Sequence, residues 1–174
     1  MTTVDAGSET AIPRHVGVVM DGNRRWARIA GFLNLSEGHR RGADHIEDLL
    51  GWCEARTAGR DGHVTLAIGY DGRADIVAGI RGAIRAGAVD TAGGITPADI
   101  TAHLPGGPVK DIDLVIRTSG EQRLSGFFPW QVATAEVHVS PKLWPDFGEA
   151  DFDEALARYA TVAVRTGGAA CPPS

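Results

Sequence analysis

The stretch His15-Val16-Gly17-Val18-Val19-Met20-Asp21-Gly22-Asn23-Arg24-Arg25-Trp26-Ala27-Arg28 constrains this chain more than any other. Val16 to Met20 is a short apolar run, rich in β-branched residues and ended by turn formers, which is the pattern of a central strand in a parallel sheet. Asp21-Gly22-Asn23 permits a tight turn, and a helix is expected from Arg24 to Ala30 with Gly31 as its C-cap. Asp21 then stands at the strand's carboxyl end, beside a helix amino terminus and Arg24, Arg25 and Arg28. Free N–H groups and guanidinium groups favour phosphate, whereas a carboxylate repels it unless a divalent cation stands between them. The stretch reads either as a metal–diphosphate site or as ordinary strand–turn–helix punctuation with solvated arginines.

The unit recurs along the chain. Glu37 to Gly42 opens a helix carrying Ile46, Leu49, Leu50 and Cys53 on one apolar face and stopping near Ala55. After a Gly-rich connector from Arg56 to Gly62, Val64 to Tyr70 reads as a second strand, closed by Asp71-Gly72-Arg73 and followed by a helix with Ile76, Val77, Ile80 and Ile84. Thr96-Pro97 starts a short helix to His103. Asp113 to Arg117 is a third strand ending in an arginine, and the loop from Thr118 to Gly126 places a second arginine, Arg123, and three hydroxyls beyond its end. Phe127 to Thr134 is apolar enough for a short buried helix, Ala135 to Val139 alternates like a fourth strand, Leu143 to Phe147 is a loop, and Asp151 to Ala163 is the last helix. Strands alternating with helices predict an α/β fold with a mainly parallel sheet flanked by helices, whose ligands sit outside the strands' carboxyl ends. Residues 15–165 are expected to form one domain, between a polar leader (1–14) and a tail (166–174).

Charge narrows the ligand. The chain carries a net charge of −5 and a pI near 5.6, which argues against nucleic-acid binding by bulk electrostatics. Arg24, Arg25, Arg28, Arg40 and Arg41 nevertheless crowd into eighteen residues, a basic pocket that points to a small anion. Cys53 and Cys171 lie too far apart in sequence to indicate a disulfide framework or a cysteine metal site. No signal-type segment or membrane-spanning run is evident, so a cytoplasmic protein is expected. Asp21 and Glu136 are the carboxylates expected on the ligand rim, although Glu136 also reads as a strand-edge residue. Arg117, Arg123 and Ser125 read as a second anion pocket, because guanidinium forks suit phosphate oxygens, or as a salt-bridged loop. His39 reads as a ligand or proton relay, or as a surface histidine; the four tryptophans read as core.

These motifs resemble the cis-prenyltransferases, the family of undecaprenyl diphosphate synthase, and are most similar to actinobacterial short-chain Z-farnesyl diphosphate synthases. The likeness is carried by Met-Asp-Gly-Asn-Arg-Arg-Trp-Ala (20–27), Gly38-His39-Arg40, Gly69-Tyr70-Asp71-Gly72-Arg73, Ile-Arg-Thr-Ser-Gly-Glu-Gln-Arg-Leu-Ser (116–125), Ala135-Glu136 and Leu-Trp-Pro-Asp-Phe (143–147). The resemblance implies a reduced version of that fold and a Mg²⁺-dependent condensation of isopentenyl diphosphate with a short allylic diphosphate. It implies that Asp21 is catalytic and binds Mg²⁺, with Glu136 as the second metal carboxylate. Gly22, Asn23, Arg24, Arg25, Trp26 and His39 would line the allylic site, and Arg117, Arg123, Leu124 and Ser125 the isopentenyl diphosphate site. A homodimer and peripheral membrane contact through the lipid product are implied too.

Two departures stand out. Asn34 lies near the place of an arginine in the family's loop before Gly-His, and the connector at Arg56 to Gly62 replaces a large block that walls the product tunnel and carries an Asn connected with proton removal. The missing block leaves open a non-standard coupling or cyclisation, and a non-catalytic diphosphate-binding partner subunit.

Overall fold

The computed structural model of the 174-residue chain describes residues 12–57, 70–88, 94–105 and 111–165. Its centre is a parallel sheet of β1 (Val16–Val19), β2 (Leu114–Arg117) and β3 (Glu136–Val139), in the order β1-β2-β3. The register sets Val16, Leu114 and Glu136 abreast at the amino end, and Val19, Arg117 and Val139 abreast at the carboxyl end. β2 is buried along its whole length, as its unbroken apolar run requires between two covered faces. Leu114 and Ile116 point into one cluster with Trp144, Phe147, Phe152 and Ala155, while Val115 joins Ile112, Phe128 and Val132 on the other face.

Five helices surround the sheet: α1 (Asn23–Ile29), α2 (Ser36–Arg56), α3 (Gly72–Arg85), α4 (Pro97–Ala102) and α5 (Glu149–Arg165), with a 3₁₀ turn at Trp144–Asp146. α2 packs Ile46, Leu49, Trp52 and Cys53 onto the first cluster, and α5 adds Phe152, Ala155, Leu156 and Tyr159 at helical spacing. Near its start α2 instead buries Gly38, Gly42 and His45. A Cβ at Gly38 would lie 2.7 Å from the Asn23 carbonyl carbon and closer still to its oxygen, and one at Gly42 would lie 2.9 Å from Trp144 Cδ1. Glycine is what lets α2 touch the first turn of α1. Trp144 Nε1 then donates to the Gly42 carbonyl at 2.7 Å, tying the 3₁₀ turn to the same seam.

Several expectations change. Leu50 is exposed, and Trp52 takes the place expected for it in the core. On α3 the buried stripe is Gly72, Asp75, Gly79 and Ala83, whereas Val77 and Ile84 face outward. Leu104 lies 2.8 Å from where a Gly79 Cβ would stand, so close approach through small residues, not apolar periodicity, chose the buried face. Phe127 to Thr134 forms a chain of turns and no helix. Pro129 disfavours helical backbone at Phe128, which adopts a φ of 38°, and Gly126 precedes it at 79°. The last helix starts at Glu149, two residues before Asp151. The strand expected at Val64 to Tyr70 lies outside the described residues except for Tyr70, as do 58–62, 91–93, the tail and most of the leader.

Candidate active site

Two chain segments meet at the carboxyl end of the sheet, the Asp21 turn after β1 and the loop after β2. Gly22 occupies the N-cap of α1 at a φ of 101°, and a Cβ there would press on Leu143 at 2.9 Å, so the turn needs glycine for both conformation and space. The Gly22 N–H donates to Asp21 Oδ1 at 2.7 Å. Because Val19 stands beside Arg117 in the register, the next residue along β2's path, Thr118, falls abreast of Met20 and within hydrogen-bond reach of Asp21. Thr118 is fully buried; its Oγ1 accepts from the Asp21 N–H at 2.9 Å and donates to the Asp21 carbonyl at 2.7 Å. Trp144 N–H reaches the same carbonyl at 3.0 Å. Asp21 is thus held from three sides before any ligand is considered.

Its carboxylate is held too. Arg117 Nη2 donates to Asp21 Oδ2 at 2.7 Å, and Arg117 Nη1 donates to Ser125 Oγ at 3.2 Å. The side chains differ sharply in exposure, 4% for Arg117 against 41% for Asp21. Burial pushes the Asp21 carboxyl up, but the hydrogen bonds from Arg117 and from the Gly22 N–H, with the Arg117 charge, outweigh it and hold the group below its ordinary value. The two pockets read separately from the sequence therefore share one ion pair.

The outer arginines are bridged by a residue that the sequence reading did not single out. Glu121 pairs with Arg25 at 3.5 Å and, more closely, with Arg123, while Arg25 also donates to the Ser119 carbonyl at 3.2 Å. Arg24 and Arg28 are exposed on α1 with no ion pair among the described residues, and His39 is exposed on the first turn of α2. Arg40 is engaged by Glu37 and Asp44. Asn23 donates from Nδ2 to the Met20 carbonyl at 3.1 Å, and its buried Oδ1 has no partner among the described residues. Trp26 Nε1 donates to Asp146 at 2.8 Å, and its ring stacks on Phe32. Leu124 lies partly buried against the cluster of Ile112, Val115 and Phe128. With only seven residues, α1 is barely two turns long, so charge for an anion comes here from arginine side chains.

Glu136 is placed elsewhere. It is exposed at the amino end of β3, abreast of Leu114 and Val16. Three residues of strand, about 10 Å, separate its row from the row that ends in Arg117. Both carboxylates were expected on one rim; within one chain the parallel register puts them at opposite ends of the sheet. Thr118 and Glu121 were the missed residues. Their loop was recognisable by its hydroxyls, but which hydroxyl meets Asp21 depends on strand register.

Comparison with known proteins shows the family. The family profile of undecaprenyl diphosphate synthase matches residues 19–59 and 54–167. An isoprenyl transferase of Streptomyces fradiae is 33% identical over 235 aligned positions, covering 90% of this chain and 91% of that protein. A (2Z,6E)-farnesyl diphosphate synthase of Mycobacterium tuberculosis is 31% identical, covering 88% and 87%. Among solved structures, lavandulyl diphosphate synthase from Lavandula x intermedia in complex with dimethylallyl diphosphate superimposes with a TM-score of 0.74 at 27% identity, covering 86% of this chain and 95% of that one. Since 235 aligned positions meet a chain of 174 residues, at least 61 of them have no counterpart here. The two profile matches abut at residues 54–59, where the sequence reading found the block missing.

Proposed function

Because this chain belongs to the undecaprenyl diphosphate synthase family and is a cis-prenyltransferase, we propose that it condenses isopentenyl diphosphate with a short allylic diphosphate in a Mg²⁺-dependent reaction, giving a cis-prenyl diphosphate. The observation that carries this reading is the single rim on which Asp21 stands among Arg25, Arg117, Arg123 and Ser125. Ionisation of an allylic diphosphate develops negative charge on the leaving group, and the allylic cation is attacked by the alkene of the second substrate. Arg24 and Arg25 would take up the leaving diphosphate, and Arg117, Arg123 and Ser125 would hold the other.

Mg²⁺ takes oxygen ligands, commonly only one or two from protein, and the half-exposed Asp21 carboxylate fits that donor set. No group of three or more His, Cys, Asp or Glu residues suited to a metal is found among the described residues, so substrate oxygens and water would complete the coordination. When bound, the ion would supply Lewis-acid stabilisation of the leaving group. No helix among the described residues is long and apolar enough to cross a membrane. A cytoplasmic homodimer that meets the membrane only through its lipid product belongs to the same reading.

The test is incubation of purified protein with radiolabelled isopentenyl diphosphate, Mg²⁺, and dimethylallyl, geranyl or farnesyl diphosphate. Product is expected, and it should vanish in Asp21→Ala and in Asp21→Asn, which keeps the side chain's shape. Absence of both turnover and Mg²⁺-dependent diphosphate binding in the wild type would refute the reading. A non-standard coupling or cyclisation on this scaffold is the second reading. It is favoured by the likeness to the lavandulyl diphosphate synthase fold and by the missing positions, and the identity of the product in the same assay decides between them.

A further inference from the structure

We propose that Arg117 is a shared counter-ion for which the Asp21 carboxylate and an incoming diphosphate compete, so that filling the anion pocket releases Asp21 to a cation. The inference rests on the diphosphate reading and deepens it by coupling two groups that the reading treats as separate ligands.

The geometry is specific. Arg117 lies at the end of the fully buried β2, and only 4% of its side chain reaches solvent, yet its guanidinium makes two side-chain bonds, to Asp21 Oδ2 and to Ser125 Oγ. Among the described residues its Nε–H is buried without a partner. A guanidinium carries five N–H donors, and a buried donor left unmade is costly, so this side chain is short of acceptor oxygens. A phosphate group offers more oxygens than one carboxylate, in a geometry that suits the guanidinium fork.

Asp21 cannot follow Arg117 when a phosphate arrives. Thr118 and Trp144 fix its backbone, and Gly22 keeps hold of Oδ1. Loss of Arg117 therefore frees Oδ2 alone, on a side chain 41% exposed, and leaves a carboxylate that needs a new positive partner. By linkage the coupling is reciprocal, so a cation on Asp21 also liberates Arg117 for the diphosphate.

Calorimetric titration with inorganic pyrophosphate tests this, with divalent cations removed by EDTA, on the wild type, Asp21→Asn, Arg117→Gln and the double variant. Asp21→Asn is expected to tighten pyrophosphate binding about tenfold where Arg117 is present and less than about twofold on the Arg117→Gln background, where Arg25 and Arg123 remain. Equal tightening on both backgrounds would mean plain repulsion by Asp21 and would overturn the proposal. The wild-type protein gives a check that needs no variant: the Arg117 guanidinium ¹⁵N resonances should shift on saturation with pyrophosphate, and unmoved resonances would overturn the proposal too. Failure of pyrophosphate to bind any of the four proteins, with or without Mg²⁺, would sink the proposal together with the diphosphate reading.

Discussion

Substituting alanine for two glycines of α2 should have opposite effects, although the chemistry of the change is identical. Gly51 has nothing within 4 Å of where a Cβ would stand, so Gly51→Ala should yield only the helix-propensity gain, about 0.5–1 kcal/mol. For a chain of this size that is a rise in Tm of roughly 1–4 °C. At Gly38 the new Cβ meets the Asn23 carbonyl carbon at 2.7 Å, with the carbonyl oxygen nearer, and Ala27 Cβ at 3.0 Å. These neighbours are the backbone and a fully buried methyl, so no flexible side chain can swing away. Overpacking of this kind costs on the order of 1–3 kcal/mol, and the absence of a soft neighbour puts Gly38→Ala at the upper end. Less a propensity gain of about 0.5–1 kcal/mol, the net loss is roughly 2–2.5 kcal/mol and Tm falls by about 4–10 °C. The displaced turn carries Asn23, Arg24 and Arg25, so turnover should fall with it, whereas Gly51→Ala keeps full activity. Thermal unfolding followed by circular dichroism, with product formation measured on the same samples, is the assay. A Tm that rises equally in both variants would refute the close α1–α2 approach.

The remaining predictions concern single side chains. Thr118→Val keeps the shape of a fully buried residue but deletes both bonds to the Asp21 backbone. Turnover should drop about tenfold, close to 1.4 kcal/mol, and recover largely in Thr118→Ser; wild-type turnover in Thr118→Val would show that the clamp is dispensable. Glu121→Gln frees Arg25 and Arg123, so pyrophosphate should bind about 1.5- to 5-fold more tightly, in line with exposed ion pairs worth 0.2–1 kcal/mol. Weaker binding there would mean that Glu121 positions the arginines. Burial lowers the pKa of His138, ahead of the opposing pull of Glu154, and its Nδ1 is buried without a partner among the described residues. The unfolded chain therefore takes up the proton first: the stability is full above the ordinary histidine value of about 6.5 and is lost as pH falls below it. The difference between urea midpoints at pH 7.5 and pH 5 should shrink in His138→Gln; an unchanged difference would dismiss this residue as a source of acid sensitivity.

Much of the site was legible because it is local. Asp21-Gly22-Asn23 between a β-branched run and an arginine-bearing helix states strand, turn and helix within fourteen residues, and its chemistry travels with those residues. The helix start at Thr96-Pro97 was legible for the same reason. Where packing partners decide, periodicity misled. Val77 and Ile84 face outward because Gly79 lets α3 close on Leu104, and Phe127 to Thr134 stays unwound because Pro129 and Phe128 act against its apolar content. The sequence by itself determined the class of fold, the gathering of arginines at two loops and the family, all of which follow from short-range pattern and residue type. Only the tertiary structure decided that Arg117 neutralises Asp21, that Thr118 clamps it and that Glu136 stands at the far end of the sheet, because parallel register aligns residues about a hundred positions apart and no local pattern encodes that alignment.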